Sequence, residues 1–485
     1  MLSKICVAIC SLILFLTIQL YSEDLKTDSL RYNLEQIIYD EMSQWNWTGV
    51  SVAVIYQNGI ILNKGFGFSD IEKEIPMTEK TILPIASLTK TFTATMYMQL
   101  IENKLIGFNS NVITFVPEYK TISNYPDYGN TTLLQLATHS SGLPKDSPLL
   151  FWSHFEDFLW VILNGNFHKQ TKVDREEFIK SLSSIHLAAI PNARFIYSNL
   201  GYALLGMALE KACGVTYQEY IKKNIFQPLA MNNSGFYSDF SAAQNLAVCY
   251  VILPNNPKPL AAPAYECDEP NSPFIPAGGI YSTAEDMAKF LMFHINGNPP
   301  VLKNENIELM QSQHYGGFGI GWDINKMDQV NTLSHSGGGL AFNAYMIAVP
   351  EIKTAIVILR NCAHPYGTEG SVDKLASKLI KKCIAVALED IDINKKNSMN
   401  DIQRYAGTYR TSLQNATAII TINGNRINMQ LKEAPDFKED FIPINAHEFH
   451  FLNDPFKKPM LFFQEDESGN IISLKFLSFL FYKEM

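Results

Sequence analysis

The sequence predicts an α+β fold: an antiparallel sheet flanked by helices, followed by a small all-β domain. Three observations carry this reading. A helical apolar pattern from Asp28 to Trp45 runs directly into a buried strand, Gly49 to Tyr56, and the two-residue hairpin turn Asn58-Gly59. Strands return at Leu333-Ser334-His335, Ala341 to Val349 and Thr354 to Leu359, ahead of a helix from Ser371 to Leu388. From Asp401 the pattern shifts to short strand-like runs, such as Thr417 to Ile422, the turn Asn423-Gly424-Asn425, and Arg426 to Leu431.

Taken in order, Lys4 followed by the apolar run Ile5 to Leu20 and then Tyr21-Ser22 reads as a secretory signal peptide over residues 1–22. The mature protein is therefore expected to be exported, with membrane association only if that segment stays uncleaved. Leu34, Ile37, Ile38 and Met42 give the first helix its apolar face, and Ile60-Ile61-Leu62 is the strand returning from the hairpin. Leu88, Phe92, Met96 and Leu100 recur every four residues, the period of a helix with one buried face. A helix over Leu133–Pro144 is stopped by Ser140-Ser141-Gly142 and Pro144. Ser147 to Lys172 is rich in aromatic residues and reads as a packed helix or a pocket wall. A helix from Leu200 to Cys213 is closed by Gly214, and Thr283 N-caps the next, with Glu285 and Asp286 in its first turn. Residues 391–400, rich in Asp, Asn, Lys and Ser, read as a linker between a domain over 29–390 and a second over 401–485. Further runs at Phe449–Leu452, Met460–Phe463 and Ile471–Leu477 fit a small antiparallel sheet or barrel.

The 485 residues can bury at least one large core. A hydrophobic content of 47% with 18% charged residues describes a globular protein. The net charge of −9, with no Lys/Arg cluster, excludes a nucleic-acid partner. Cys213, Cys249, Cys267, Cys362 and Cys383 remain beyond the leader; their odd number and wide spacing indicate no disulfide framework and no metal site. Cys249 and Cys267 are the nearest pair, and buried free thiols are expected for most. No metal or other cofactor is expected.

The chemistry-bearing stretch is Ser87-Leu88-Thr89-Lys90. Ser87 stands at a helix start, where free N–H groups and the positive dipole end favour a developing anion. Lys90, one turn on, shares its face, so the ammonium can reach the serine oxygen. A serine hydroxyl becomes a nucleophile when a neighbouring base takes its proton. The spacing alone is weak, for Ser371-Val372-Asp373-Lys374 repeats it without supporting context. Two further patterns follow in order, Tyr197-Ser198-Asn199 and His335-Ser336-Gly337, and each has decoys elsewhere in the chain.

Their surroundings separate them from the decoys. Ile85-Ala86-Ser87-Leu88-Thr89-Lys90-Thr91, Leu136-Ala137-Thr138-His139-Ser140-Ser141-Gly142-Leu143-Pro144, Tyr197-Ser198-Asn199-Leu200-Gly201-Tyr202, Pro276-Ala277-Gly278-Gly279, Gly319-Ile320-Gly321-Trp322 and His335-Ser336-Gly337-Gly338 occur in that order. With them the stretch Val50–Leu388 resembles the serine β-lactamase-like hydrolases: class C β-lactamases, D-stereospecific peptidases and related esterases. The resemblance implies a β-lactamase/transpeptidase-like fold with an all-helical lobe and the site in the cleft between. The tail, with Tyr405-Ala406-Gly407-Thr408-Tyr409, is similar to the small lipocalin-like domain appended to some members.

The resemblance further implies that Ser87 becomes acylated and that Lys90 and Tyr197 share the general-base role. The phenol's pKa would be depressed by the ammonium beside it. Asn199 would donate to the substrate and to the surroundings of Lys90, and the backbone N–H groups of Ser87 and Gly338 would form the oxyanion hole. His335 stands where many β-lactamases carry lysine, and a largely neutral imidazole suits peptidases and esterases better than β-lactam hydrolysis. His139 is read as structural, capping a helix end. The implied function is an exported serine hydrolase of amides or esters, foremost a D-amino-acid peptidase/carboxypeptidase or a carboxylesterase-like enzyme, acting on a small-molecule or peptide substrate that includes peptidoglycan-derived peptides among its candidates. The alternatives are a weak β-lactamase, a penicillin-binding protein that does not turn over, and a carbohydrate- or lipid-binding protein built on the C-terminal domain. Oligomeric state is left open.

Overall fold

A computed structural model of the chain describes residues 25–119, 121–122, 131–147, 164, 175–253, 258–262, 271–298, 300–327, 330–364, 370–399, 402–411, 416–423, 426–443, 448–451, 461–466, 470–476 and 479–484. The expected leader, Cys267 and all of the aromatic-rich stretch except Ser147 and Asn164 lie outside these residues. The chain separates into two units, residues 1–383 and 384–485.

In the first unit, helix α1 (residues 25–45) buries Leu30, Leu34 and Ile38 and delivers the chain to β1 (Gly49–Tyr56), whose eight residues are all buried. The Asn58-Gly59 turn leads into β2 (Gly59–Asp70), longer than the sequence indicated, and β3 (Ile75–Pro76). Helix α2 (Thr89–Glu102) follows, then α3 (Leu133–Ala137), α4 (Asn199–Cys213), α5 (Ile275–Gly278) and α6 (Ala284–Asn296). Strands β4 (Asp323–Met327), β5 (Val330–Gly338), β6 (Asn343–Val349) and β7 (Thr354–Arg360) return, and α7 (Val372–Met399) starts in this unit and continues past its last residue, Cys383. The strands form one antiparallel sheet in the order β4-β5-β6-β7-β1-β2-β3. The fold is thus α+β, as the sequence predicts.

Alternation along the strands sorts the sheet into two faces. Leu333, Met346, Val357 and Ala53 share one core with Phe92, Met96 and Phe290 of α2 and α6. The expectation of a single buried face on α2 needs correction: every residue from Thr89 to Leu100 is buried. The side chains make this possible, because the threonine hydroxyls find backbone partners. Thr91 donates to Leu88 O (2.8 Å), Thr95 to Thr91 O (2.9 Å) and Thr93 to Pro276 O (2.6 Å), while Thr89 Oγ1 accepts from the N–H of Ile280 (3.1 Å). A polar stripe that satisfies itself can be buried like an apolar one.

The capping signals hold where the sequence placed them. Thr283 Oγ1 accepts the N–H of Asp286 at 3.1 Å, and Gly214 closes α4 at φ 76°. Helix α3 is shorter than expected, ending at Ala137 because Thr138 caps it and His139 turns to φ 55°. The stretch read as a linker, 391–400, is helical through Met399, a second correction. No glycine or proline interrupts 372–399, so polar composition alone did not end the helix.

The second unit contains a closed barrel of eight antiparallel strands, β8 to β15: Gly407–Arg410, Thr417–Asn423, Arg426–Leu431, Ala434–Pro443, Glu448–Phe451, Leu461–Glu465, Ile471–Phe476 and Phe479–Lys483. Closure removes the exposed edges an open sheet would present. Tyr405, Tyr409, Phe441, Phe449 and Phe463 belong to its buried core.

The turn carrying Ser87 is seated directly on β5. A Cβ at Gly337 would meet Ile85 O at 2.3 Å and Leu88 Cδ1 at 2.9 Å, so only glycine permits this approach. Gly337→Ala is expected to lower stability by ~1–3 kcal/mol through overpacking. A urea melt checks this: a fall in midpoint at unchanged slope supports the contact, and an unchanged midpoint contradicts it.

Candidate active site

Ser87 lies in a short 3₁₀ turn, Ala86–Leu88, one step ahead of α2. Ala86 adopts φ 44°, an uncommon conformation for a residue with a Cβ, so the turn is tightly constrained by what surrounds it. Lys90, in the first turn of α2, is fully buried. Its Nζ donates to Ser87 Oγ at 3.0 Å and to the carbonyl of Ala277, in α5, at 2.7 Å. The same ammonium lies 4.9 Å from the ring centroid of Tyr197 and 5.7 Å from that of Tyr202. The predicted Ser87–Lys90 contact is therefore present, whereas in the decoy Ser371–Lys374 the lysine is exposed at the start of α7.

Tyr197 arrives from the loop before α4, and its phenol lies near enough to Ser87 for that hydroxyl to favour the phenolate. Burial pushes this phenol well above its usual range; the Ser87 hydroxyl opposes the rise, and the carboxylates of Asp323 and Asp146 add to it. The sequence expectation of a phenol depressed by a neighbouring ammonium is thereby corrected. Desolvation of the phenolate dominates, and at neutral pH the Tyr197 hydroxyl keeps its proton.

Asn199 is the first residue of α4, behind the N-cap Ser198, whose Oγ accepts the N–H of Gly201 at 2.8 Å. The Asn199 amide donates to Asp146 Oδ1 at 2.6 Å, so a carboxylate that the sequence reading did not single out fixes its orientation. Asp323, the first residue of β4, was also missed. Burial raises its carboxyl to about 6. Neither aspartate belongs to a recognisable spacing, and only folding brings them near the tyrosine. Ala277 acts through a backbone carbonyl, which leaves no side-chain signature.

His335 and Gly337 point to the α2 side of β5. The His335 ring is 1% exposed; its Nδ1–H donates to Ser336 O at 2.7 Å, and its Nε2 has no hydrogen-bond partner among the described residues. Burial, helped by the Lys90 charge, lowers its pKa to about 3, with the Ser336 bond opposing. The imidazole is neutral, as the sequence led one to expect.

Gly338 ends β5. Gly339 N–H donates to Phe342 O (3.1 Å), which makes Gly338 and Asn343 the non-hydrogen-bonded pair, with the Gly338 N–H directed away from β6. On that side β4 pairs only as far as Asp323 opposite Ser334. The last four residues of β5 thus present a strand edge that β4 does not cover.

A fold of this topology, with serine, buried lysine and tyrosine meeting at the junction of sheet and helices, defines the serine β-lactamase-like class. The beta-lactamase family model matches residues 34–378, and the chain belongs to that family of hydrolases. It is 32% identical over 278 residues, 56% of the chain, to "Beta-lactamase-like protein 2" of Dictyostelium discoideum, and it spans about half (47%) of that relative's length. Among solved structures it is similar to the octameric penicillin-binding protein homologue from Pyrococcus abyssi. There the TM-score is 0.61 with 24% identity, over 93% of this chain and 99% of that one. It is also similar to EstCE1, a hydrolase with promiscuous acyltransferase activity, with a TM-score of 0.62 and 20% identity over 74% and 99% of the two chains.

The neutral buried histidines make stability pH-dependent. Burial lowers both His335 and His294 to about 3. Between about 6.5 and about 3 the unfolded chain therefore binds more protons than the folded one. Stability should fall as pH drops through that window, by about 1.4 kcal/mol per pH unit for each such histidine. His294 packs against Phe290, Phe293 and Trp322, and neither of its ring nitrogens has a hydrogen-bond partner among the described residues. Urea midpoints at pH 7.5, 6, 5 and 4 should decline less steeply for His294→Leu than for wild type; parallel profiles would contradict the assignment.

Proposed function

We propose that the protein is an exported serine hydrolase that cleaves an amide or ester bond through an acyl-enzyme on Ser87. The observation that carries this reading is the Ser87 hydroxyl 3.0 Å from Lys90 Nζ, with the Tyr197 ring centroid 4.9 Å from the same nitrogen. The Lys90 ammonium first releases one proton to solvent, and in the acylation step it takes part as the neutral amine. It accepts the Ser87 proton as Oγ bonds to the substrate carbonyl carbon. Tyr197, protonated at rest, gives its proton to the departing amine or alkoxide, and the proton that Lys90 took from Ser87 passes to the phenolate to restore it. Water then attacks the acyl-enzyme in the reverse sense and releases the acid. The oxyanion is received by the N–H of Ser87, at the head of α2, and by the outward-facing N–H of Gly338.

His335 favours amides and esters without a carboxylate to be gripped at this position. A neutral ring held by Ser336 O offers no cation there. A D-amino-acid peptide or a carboxylic ester fits this reading. The second reading, a weak β-lactamase or an acylating protein without turnover, draws on the same serine and differs only in how fast the acyl group leaves.

Intact-mass measurement after a fluorophosphonate and, separately, a penicillin tests this. Wild type should gain one phosphonyl group and Ser87→Ala none; equal labelling of the alanine variant would refute the nucleophile. A persistent penicillin adduct would favour the second reading. Tyr197→Phe is expected to lower kcat on a p-nitrophenyl ester by about 100-fold or more, the scale of a lost general acid. Unchanged turnover would remove Tyr197 from the mechanism.

A further inference from the structure

We infer that His139 is the positioning residue that sets Tyr197 against Ser87. The inference rests on the acyl-enzyme reading and assigns a role in that site to a histidine which sequence alone marked as a helix cap. His139 does close helix α3, but through its backbone and not its imidazole. Helix α3 is capped by Thr138, whose N–H reaches Leu134 O and whose hydroxyl donates to Leu134 O at 2.8 Å. His139 is the left-handed residue (φ 55°) that closes this helix, its N–H donating to Leu136 O at 3.3 Å and the N–H of Ser140 to Gln135 O at 2.9 Å, so its carbonyl and imidazole are left for other partners.

From that conformation one residue holds the N–H groups of both residues next to Tyr197 in the chain. The His139 carbonyl accepts the N–H of Ile196 at 2.9 Å, and the His139 Nδ1 accepts the N–H of Ser198 at 3.0 Å. The imidazole is fully buried and lies under the phenol, with ring centroids 4.4 Å apart and planes 35° from parallel. Tyr202 and Phe318, each 5.0 Å from the imidazole, pack it from other sides, and Tyr202 is tied to Ala137 O at 2.8 Å. Accepting at Nδ1 puts the ring proton on Nε2, and that N–H has no partner among the described residues. The imidazole is therefore kept in one tautomer by a bond that also satisfies the buried N–H of Ser198, the N-cap of α4, and so ties the Tyr197 segment to the start of that helix. A phenol whose hydroxyl must meet Ser87 gains from such a two-point hold, because a misplacement of about 1 Å can cost 100-fold in rate.

Two substitutions separate the acceptor from the ring. His139→Asn places an amide oxygen where Nδ1 stands and tolerates the left-handed backbone; His139→Phe keeps a ring beneath Tyr197 and loses the acceptor. With p-nitrophenyl butyrate as probe, the phenylalanine variant should lose about 100-fold in kcat with KM nearly unchanged, and the asparagine variant should stay within about 5-fold of wild type. Hydrogen exchange at the Ser198 amide should be slow in wild type and His139→Asn and fast in His139→Phe. If the phenylalanine variant does not fold, His139→Gln, with its oxygen one bond too far, takes its place and should lose at least ~10-fold relative to asparagine. Full activity of the variant lacking the acceptor, or equal losses in both variants, would overturn the inference. Ser87→Ala in the same assay keeps the two readings apart. Turnover surviving in Ser87→Ala would sink the acyl-enzyme, and the amide-exchange contrast would still decide the hold on Tyr197.

Discussion

The arrangement depends on where the Lys90 ammonium is held. A charged group with no solvent exposure must be compensated within the protein, and Ser87 Oγ and Ala277 O are two of its partners. Much of the surrounding architecture keeps those partners in register. Helix α2 is buried on every side, which its threonines allow by bonding to backbone carbonyls. One of those bonds, Thr93 to Pro276 O, secures α5 next to the Ala277 carbonyl that Lys90 uses. Helix α4 presses close to the same point: a Cβ on Gly206 would stand 2.1 Å from Pro276 Cγ. The lysine, the short helix and the close helix crossing therefore form one constraint.

Around that ammonium the tyrosine and the two histidines stay neutral. Burial drives the Tyr197 phenol up and the His335 and His139 imidazoles down, and the Lys90 charge pushes both histidines further in the same direction. A second cation beside Lys90 would have to be desolvated and would repel it, so neutral rings are the stable choice. The consequence for the proposed chemistry is a division of labour. The tyrosine serves as a proton donor, and the amine is the group whose protonation state must change.

Sequence made the fold and the centre of the site readable to different depths. Strong periodicity identified β1, the Asn58-Gly59 hairpin, α4 and α6, because Gly214 and Thr283 mark their ends through local chemistry. The barrel strand Ala434–Pro443 was not recognised, since proline and four charged residues disguise the alternation that leads to buried Phe441. Helix α7 outran its predicted end because an uninterrupted polar sequence looks like a linker until a helix occupies it. Of the site, Ser87 and Lys90 were legible as an i, i+3 pair, and Tyr197 and His335 through the resemblance. Asp146, Asp323 and the Ala277 carbonyl were not legible, for their proximity depends on chain crossings far apart in sequence. The sign of the Tyr197 shift was also out of reach, because burial of a loop residue is a property of the packed whole.

The end of β5 shows how an ordinary liability of sheets can serve a site. An edge strand exposes unpaired N–H groups, and proteins commonly cover or blunt such edges. Here β4 stops opposite Ser334 while β5 continues to Gly338, which leaves the outward N–H of Gly338 uncovered by β4. Gly337 admits the Ser87 turn to within van der Waals limits of this strand, so the exposed edge and the serine are brought together by the same close approach. A side chain at either glycine would disturb that geometry, by collision with Ile85 O at Gly337 and by crowding Asn343 Nδ2 at Gly338. In the proposed reaction the uncovered N–H waits for charge that appears only as the carbonyl is attacked, and it needs no rearrangement to receive it. The register offset between β4 and β5 is therefore the feature of the sheet on which oxyanion stabilisation would turn.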